Sequence, residues 1–157
     1  MGSSRAVRIS ELLVPDGLVE LSGIAPAAVL AELSAPVARA TRLDPVQLAT
    51  SLSDREKLGS TGVGEGVAIP HARVRGLPNL CACLGRHRAG IDFHAIDGKP
   101  ARLFLALFAP ENSAGTHLQA LARASRLFKS QAFREAALAA PDLAALRALL
   151  EREDGKP

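Results

Sequence analysis

The chain has 157 residues and a mass of 16.4 kDa, with 48% hydrophobic and 22% charged residues, a balance that fits one compact domain and excludes intrinsic disorder and fibrous repeats. Five Phe with no Tyr and no Trp exclude a surface that stacks bases on exposed rings, while 29 Ala and 24 Leu favour helices over a β-sandwich. The net charge of +3 is uneven: residues 1–54 carry four basic and six acidic groups, residues 55–102 eight and four, and residues 103–157 seven and six, so the excess reads as a local anion site and not as a nucleic-acid-binding face.

Met1–Ser4 read as a cloning remnant and are set aside, which leaves a single expected domain over residues 5–154 with no internal repeat or linker. Leu18–Leu21 predicts a short strand. Pro26 suits the first position of a helix, and Val29, Leu30, Leu33 and Val37 form the apolar stripe of a helix over about 26–41, with a kink expected at Pro36. Asp44-Pro45 repeats the start signal, as N-cap and first residue of a helix carrying Val46, Leu48 and Leu52 and ending near Leu58. Gly59–Gly66 places four glycines in eight positions, ahead of the apolar strand piece Val67–Ile69. Asn79–Gly85 and Ala101–Ala109 are two more strands, the second apolar on both faces as a buried central strand is. Leu118, Leu121, Leu127 and Phe128 mark a helix, Phe133–Ala140 a shorter one, and Pro141–Glu153 a last one with Leu143, Leu146, Leu149 and Leu150 on its apolar face. This order predicts an α/β fold with helices covering a central sheet.

Cys81 and Cys83 stand too close for an ordinary cross-strand disulfide and belong to no cysteine framework, so a reducing compartment is expected. The longest apolar runs, eight residues at Ile24–Ala31 and seven at Leu103–Ala109, fall short of the ~18 that a membrane helix needs. No signal-peptide core accompanies Arg5, Arg8 and Glu11, so the expected location is the cytoplasm, without membrane insertion.

The chemistry concentrates between Arg55 and Arg73. Dense glycines let a backbone adopt φ > 0 and approach a ligand closely, and successive N–H groups can then cradle an anion. The run is neither a Walker A loop nor G-x-G-x-x-G ahead of a helix. It feeds a strand ending in Pro70-His71, which fixes a histidine beside the loop and near Arg73. With a free pKa of ~6.5, a neutral imidazole offers one nitrogen lone pair while its other nitrogen donates a hydrogen bond. Such a nitrogen can attack a phosphoryl group and hold it as phosphohistidine, with backbone N–H groups and a guanidinium stabilising the charge. Gly59, Ser60, Thr61, Gly62 and Gly64 form the candidate phosphoryl-binding loop.

Three stretches, Arg55-Glu56-Lys57, Gly59-Ser60-Thr61-Gly62 and Val67-Ala68-Ile69-Pro70-His71, resemble the active-site signature of one family. This is the type 2 IIA components of the bacterial phosphoenolpyruvate-dependent sugar phosphotransferase system, the mannitol/fructose class that includes the nitrogen-regulatory IIA proteins. The likeness continues through Ile91-Asp92-Phe93, Ile96–Pro100, Pro110-Glu111 and His117-Leu118, and covers about residues 10–150. It implies a three-layer α/β/α sandwich around a mixed central sheet. It also implies that His71 is phosphorylated by a phosphohistidine carrier protein, that His117 is the second active-site histidine, and that Arg55 helps bind the phosphoryl group. Glu65 stands at a polar loop position of the family, where a carboxylate near a phosphoryl site repels it unless it points away or pairs with Arg55. No cofactor and no metal are implied. A chain without fused membrane or carrier domains resembles the free-standing nitrogen-regulatory proteins, which act by binding other proteins. The alternatives are a fructose- or mannitol-specific IIA that passes its phosphoryl group to a IIB component, and a non-catalytic binding module of the same fold.

The remaining polar residues have plainer readings. His117 opens a helix, where a histidine is either a surface residue or a neutral donor kept so by the helix dipole. His87 and His94 match no motif and are taken as solvated. Cys81 and Cys83, two apart on a strand, share one face as small buried apolar residues, and a metal set of Cys81, Cys83 and His87 has poor tetrahedral geometry. Asp92 and Asp97 imitate paired carboxylates, but Asp97 before Gly98 is a turn residue. Arg73 and Arg75 are either solvated charges or part of a docking surface, apolar at its centre and charged at its rim.

Overall fold

The computed structural model describes residues 7–154 and 156; Met1–Ser4 and Arg5 lie outside the described residues. Its elements are α1 (Ile9–Leu12), β1 (Leu13–Glu20), α2 (Pro26–Thr41), α3 (Pro45–Leu58), β2 (Gly62–Gly64), β3 (Val67–Ala68) and β4 (His71–Val74), then β5 (Cys81–Ile91), β6 (Ala101–Pro110), α4 (Ala114–Lys129), α5 (Gln131–Ala139) and α6 (Leu143–Asp154). Proline sets the two helix starts expected of it. The Asp44 carboxylate accepts from the Val46 N–H at 2.9 Å with Pro45 as the first helical residue, which satisfies a donor that a helix start leaves unpaired. Pro36 does not divide α2, which runs on to Thr41 and stops where Arg42 takes a left-handed φ of 62°.

The mixed sheet runs β1-β5-β6-β3-β2, with β4 also paired to β6. β5 is parallel to β1 and antiparallel to β6, and β3 and β4 lie end to end along the other edge of β6, parallel to it. What separates β3 from β4 is Ile69-Pro70, because Pro70 has no N–H to give the ladder; its carbonyl still accepts from Leu107 at 2.9 Å. His71 therefore opens β4 and does not end the preceding strand as the sequence suggested.

β6 is the central plank. Phe104, Ala106 and Phe108 enter the core shared with Leu30, Leu33, Leu48 and Leu52 of α2 and α3, while Leu103, Leu105 and Leu107 enter the core shared with Ala120, Phe128, Phe133 and Leu146 of α4, α5 and α6. A strand sealed on both faces has no polar alternation, which is why 101–109 reads as continuously apolar. Each buried Leu or Phe contributes about 1.5–3 kcal/mol relative to exposure. The result is the expected α/β/α arrangement around a mixed sheet.

Two strands are longer than their sequences suggested. β1 begins at Leu13 and not Leu18, because Leu13 faces Ala82 while Leu18 faces Leu84: Pro15 and Asp16 at φ 59° form a bulge that reads as a turn. β5 runs past Gly85 to Ile91 through Arg86-His87-Arg88, a charged run that resembles a loop. Arg86 is fully buried all the same. Its Nε donates to Glu20 Oε1 at 3.0 Å, its Nη2 to Glu20 Oε2, and its Nη1 to the Ala137 and Ala140 carbonyls at 2.8 and 2.7 Å. The cation thus meets a carboxylate and the C-terminal carbonyls of α5, the arrangement that makes a buried charge tolerable. His87, taken from sequence as solvated, is buried: its Nε2–H donates to the Gly23 carbonyl at 2.8 Å and its Nδ1 accepts from the Gly90 N–H at 2.9 Å. His94 is exposed, as expected.

Candidate active site

β4 pairs with β6 alone, and a cleft of about 700 Å³ lies beside it, between α3 and α4. The lining comes from three elements at helical or strand spacing: Ser51, Asp54, Arg55 and Leu58 from α3, His71, Ala72 and Arg73 from β4, and Ala114, His117, Leu118 and Leu121 from α4. Arg55 and His117, 16 and 46 residues from His71, are thereby brought together with His71 and Arg73.

His71 is half-buried and its Nδ1 lies 2.8 Å from the Ile69 carbonyl oxygen. A carbonyl only accepts, so Nδ1 carries the proton and Nε2 keeps the lone pair. Burial, and then the positive Arg55, push the His71 pKa below its ordinary value, against the opposing bond to Ile69. His117 lies in the first turn of α4, buried, with its ring 5.4 Å from that of His71 and inclined at 76°. Burial and the charges of His71 and Arg73 lower its pKa as well. Both rings are therefore neutral near neutral pH. The Nε2 atom of His117 is buried without a hydrogen-bond partner. A buried nitrogen so left is costly, and if it carries the ring proton, an anionic oxygen arriving in the cleft would relieve it by accepting. Arg55 is held by its Nη1, which donates to the Gly59 carbonyl at 2.9 Å.

The glycine-rich loop is not part of the cleft lining. Ser60 Oγ donates to the Phe93 carbonyl at 2.6 Å and accepts from the Gly62 N–H at 2.9 Å. Both Thr61 donors go to Glu56. A Cβ at Gly62 would come within 3.1 Å of Ala95, and one at Gly64 within 3.1 Å of the Asp97 carboxylate, on a backbone at φ 89° that side chains rarely adopt. Glu65 and Gly66, both at positive φ, turn the β2–β3 hairpin. The N–H groups of Gly59, Thr61 and Gly62 thus go to the Glu56 carbonyl, the Glu56 carboxylate and Ser60 Oγ, and Thr61 braces the segment that carries His71. Asp97 is the turn residue expected, and its carboxylate also accepts from Glu65 N–H at 2.8 Å.

Glu65 turns away from His71. Its carboxylate lies 3.4 Å from Lys99 Nζ and 3.9 Å from Arg134 Nη2, over a separate hollow of about 480 Å³. It makes no pair with Arg55. Arg73 lines the cleft, while Arg75 does not and faces Glu111 at 3.9 Å. Leu58 and Leu118, 84% and 67% exposed, give the cleft an apolar rim; the i, i+3, i+4 spacing of Ser51, Asp54, Arg55 and Leu58 was the sequence signal for this face. Cys81 and Cys83 are buried, and both His87 nitrogens are occupied by backbone, so those three residues make no metal set. No helix among the described residues is long and apolar enough to cross a membrane.

Residues 18–153 match the family described as Phosphoenolpyruvate-dependent sugar phosphotransferase system, EIIA 2. The chain is 35% identical over 143 residues to a nitrogen regulatory protein of Bradyrhizobium diazoefficiens, covering 90% of this chain and 94% of that one. It is 36% identical over 104 residues to the PTS system fructose-specific EIIABC component of Bacillus subtilis, covering 66% of this chain and 16% of that one. The crystal structure of the nitrogen regulatory protein IIA-Ntr from Neisseria meningitidis superimposes with a TM-score of 0.84 at 34% identity, covering 90% of this chain and 98% of that one.

Proposed function

The chain belongs to the EIIA 2 family of the phosphoenolpyruvate-dependent sugar phosphotransferase system, and from that premise we propose that it is a cytoplasmic phosphocarrier, folded as one domain over residues 5–154, that accepts a phosphoryl group on Nε2 of His71. The observation that carries the reading is the 2.8 Å bond from His71 Nδ1 to the Ile69 carbonyl, which leaves Nε2 as the nucleophilic nitrogen in a cleft shared with Arg55 and His117. The donor is a phosphohistidine of a carrier protein docked on the Leu58–Leu118 rim, with Arg73 at its charged margin and Arg75 beyond it. The His71 Nε2 lone pair forms the new P–N bond as the donor's P–N bond breaks, and that electron pair stays on the donor ring. Nδ1 keeps its proton throughout, and Ile69 O accommodates the positive charge the ring acquires. His117 Nε2–H donates to a phosphoryl oxygen and the Arg55 guanidinium offsets its charge. No cofactor takes part.

The near full-length similarity to nitrogen regulatory proteins supports action through phosphorylation-dependent binding of other proteins. The 36% identity with a fructose-specific component supports a second reading, transfer onward to a IIB component. The test is incubation with phosphoenolpyruvate and the two upstream phosphotransferase proteins, followed by intact mass. One phosphoryl group on the wild type and none on His71→Ala is expected; persistent labelling of His71→Ala rejects the assignment, and an unlabelled wild type leaves a binding module. Co-purification with wild type, His71→Ala and His71→Glu, beside a transfer assay to a fructose IIB, separates the two branches.

A further inference from the structure

The bond that sets the His71 tautomer is itself held from a distance. Ile69 lies in the two-residue gap between β3 and β4, where Pro70 contributes no N–H, so the ladder does not fix the Ile69 peptide on its own. Its N–H goes instead to the Thr61 carbonyl at 2.9 Å. Thr61, only 5% exposed, is held in turn by Glu56: the Thr61 N–H donates to Oε2 at 3.0 Å and its hydroxyl to Oε1. A continuous path therefore runs from the last turn of α3 through Thr61 and Ile69 to the His71 ring. The same turn puts Arg55 into the cleft, so one helix end sets both the guanidinium and, through its neighbour, the imidazole.

Resting on the assignment of His71 Nε2 as phosphoryl acceptor, we propose that Glu56 and Thr61 are positioning residues: their paired hydrogen bonds hold the Ile69 carbonyl against Nδ1 and so keep the His71 lone pair on Nε2. Two charge-assisted bonds from one carboxylate fix a buried loop residue in position and angle. Without them Thr61 has two unpaired donors, the 60–62 segment relaxes, and Ile69 loses its partner. The His71 ring is then free to carry its proton on Nε2, a tautomer that cannot attack there. Glu56 also acts on His71 through its charge, and Thr61→Val separates the two routes because it removes the hydroxyl and keeps the carboxylate.

The experiment uses the full chain with ¹⁵N-labelled histidine, reading the His71 ring nitrogens by NMR, assigned against His71→Ala, beside single-turnover transfer from the phosphorylated carrier protein. Wild type shows a single Nδ1–H tautomer. Glu56→Ala shows a mixture and transfers on the order of tenfold more slowly, the scale typical of second-layer bonds that orient a histidine, at unchanged half-saturating donor concentration. Thr61→Val moves the same way by less, and Thr61→Ser, which keeps the hydroxyl, behaves as wild type. Thr61→Val and Glu56→Ala that both keep the wild-type ring spectrum and rate overturn the proposal, as does Thr61→Val at wild type beside an impaired Glu56→Ala, which assigns the effect to charge alone. If Glu56→Ala fails to fold, the Thr61→Val and Thr61→Ser pair decides. A wild type that takes no phosphoryl group removes the functional premise, while the ring spectra still judge the clamp.

Discussion

His117→Phe is expected to make the protein more stable and less active at once. The Nε2 atom is buried with no partner, and an unmet buried donor or acceptor costs about 1–3 kcal/mol. Phenylalanine removes that atom and keeps a flat ring against His71, where the histidine pair stands at 5.4 Å and 76°, so an edge contact of about 0.5–1.5 kcal/mol is retained. The ring is slightly larger, and accommodating it beside an open cleft takes back about 1 kcal/mol at most. The net gain is about 1 kcal/mol, which for a chain of this size raises Tm by about 2–4 °C. Transfer from the phosphorylated carrier loses one donor to the developing charge, on the order of 100-fold in rate. Thermal melts by circular dichroism at pH 7.5 and rapid-quench transfer measure the two effects on one preparation. A Tm that falls by about 3 °C with transfer unchanged would refute the reasoning, since it would make His117 a satisfied packing residue.

Other predictions concern the scaffold and the titration of the site. Glu20→Ala leaves Arg86 buried without its carboxylate; partner removal in a sealed pair costs about 3–5 kcal/mol, but the Glu20 side chain is 41% exposed and water moderates this to about 2 kcal/mol, readable in urea melts. The Arg86 hydrogen bond holds the Glu20 carboxyl below its ordinary 4.5, so the contribution is present above that pH and fades as pH falls through the native value; a variant deficit that grows on acidification contradicts the pairing. His71 and His117 are both held below their free value of 6.5. Below that pH the unfolded chain binds protons the native one refuses, so stability declines on acidification from about 6.5, and His71→Ala combined with His117→Phe flattens the decline. Burial pushes the Cys81 thiol up to about 11 and the Cys83 thiol up to about 12, so iodoacetamide at pH 8 modifies neither in the native protein and both after denaturation; rapid native labelling would show that β5 opens.

What the sequence made legible follows from how local each signal is. Helix starts at Pro26 and Pro45, the two-faced apolar strand before Pro110 and the Pro70-His71 step depend on neighbours a few residues away, and these stand close to where they were expected. The ends of β1 and β5 were hidden because the partners that justify them are remote. Arg86 reads as solvent-exposed until Glu20 and the end of α5 arrive from 66 and 51 to 54 residues away, and His87 reads so until Gly23 does. In the site, the motif singled out Arg55, His71 and His117, which share one cleft. It said nothing of where the glycines aim their N–H groups, and the loop turned out to be anchored on Glu56, Phe93 and Asp97. No periodicity marks a carboxylate that serves a threonine five residues on.

The alternation of β6 gives the interior a say in the chemistry. Phe104, Ala106 and Phe108 support the helical layer that carries Arg55, and Leu103, Leu105 and Leu107 support the one that carries His117, so the gap between guanidinium and imidazole is gauged by the girth of six side chains that never meet the cleft. Because packed interiors transmit rather than absorb a change of volume, a methylene lost at Leu107 or a ring traded at Phe108 would retune the jaws of the cleft while its lining stayed letter for letter the same. Lineages carrying identical lining residues can therefore differ in transfer rate, and a catalogue of active-site residues that stops at the lining would miss the strand that spaces them.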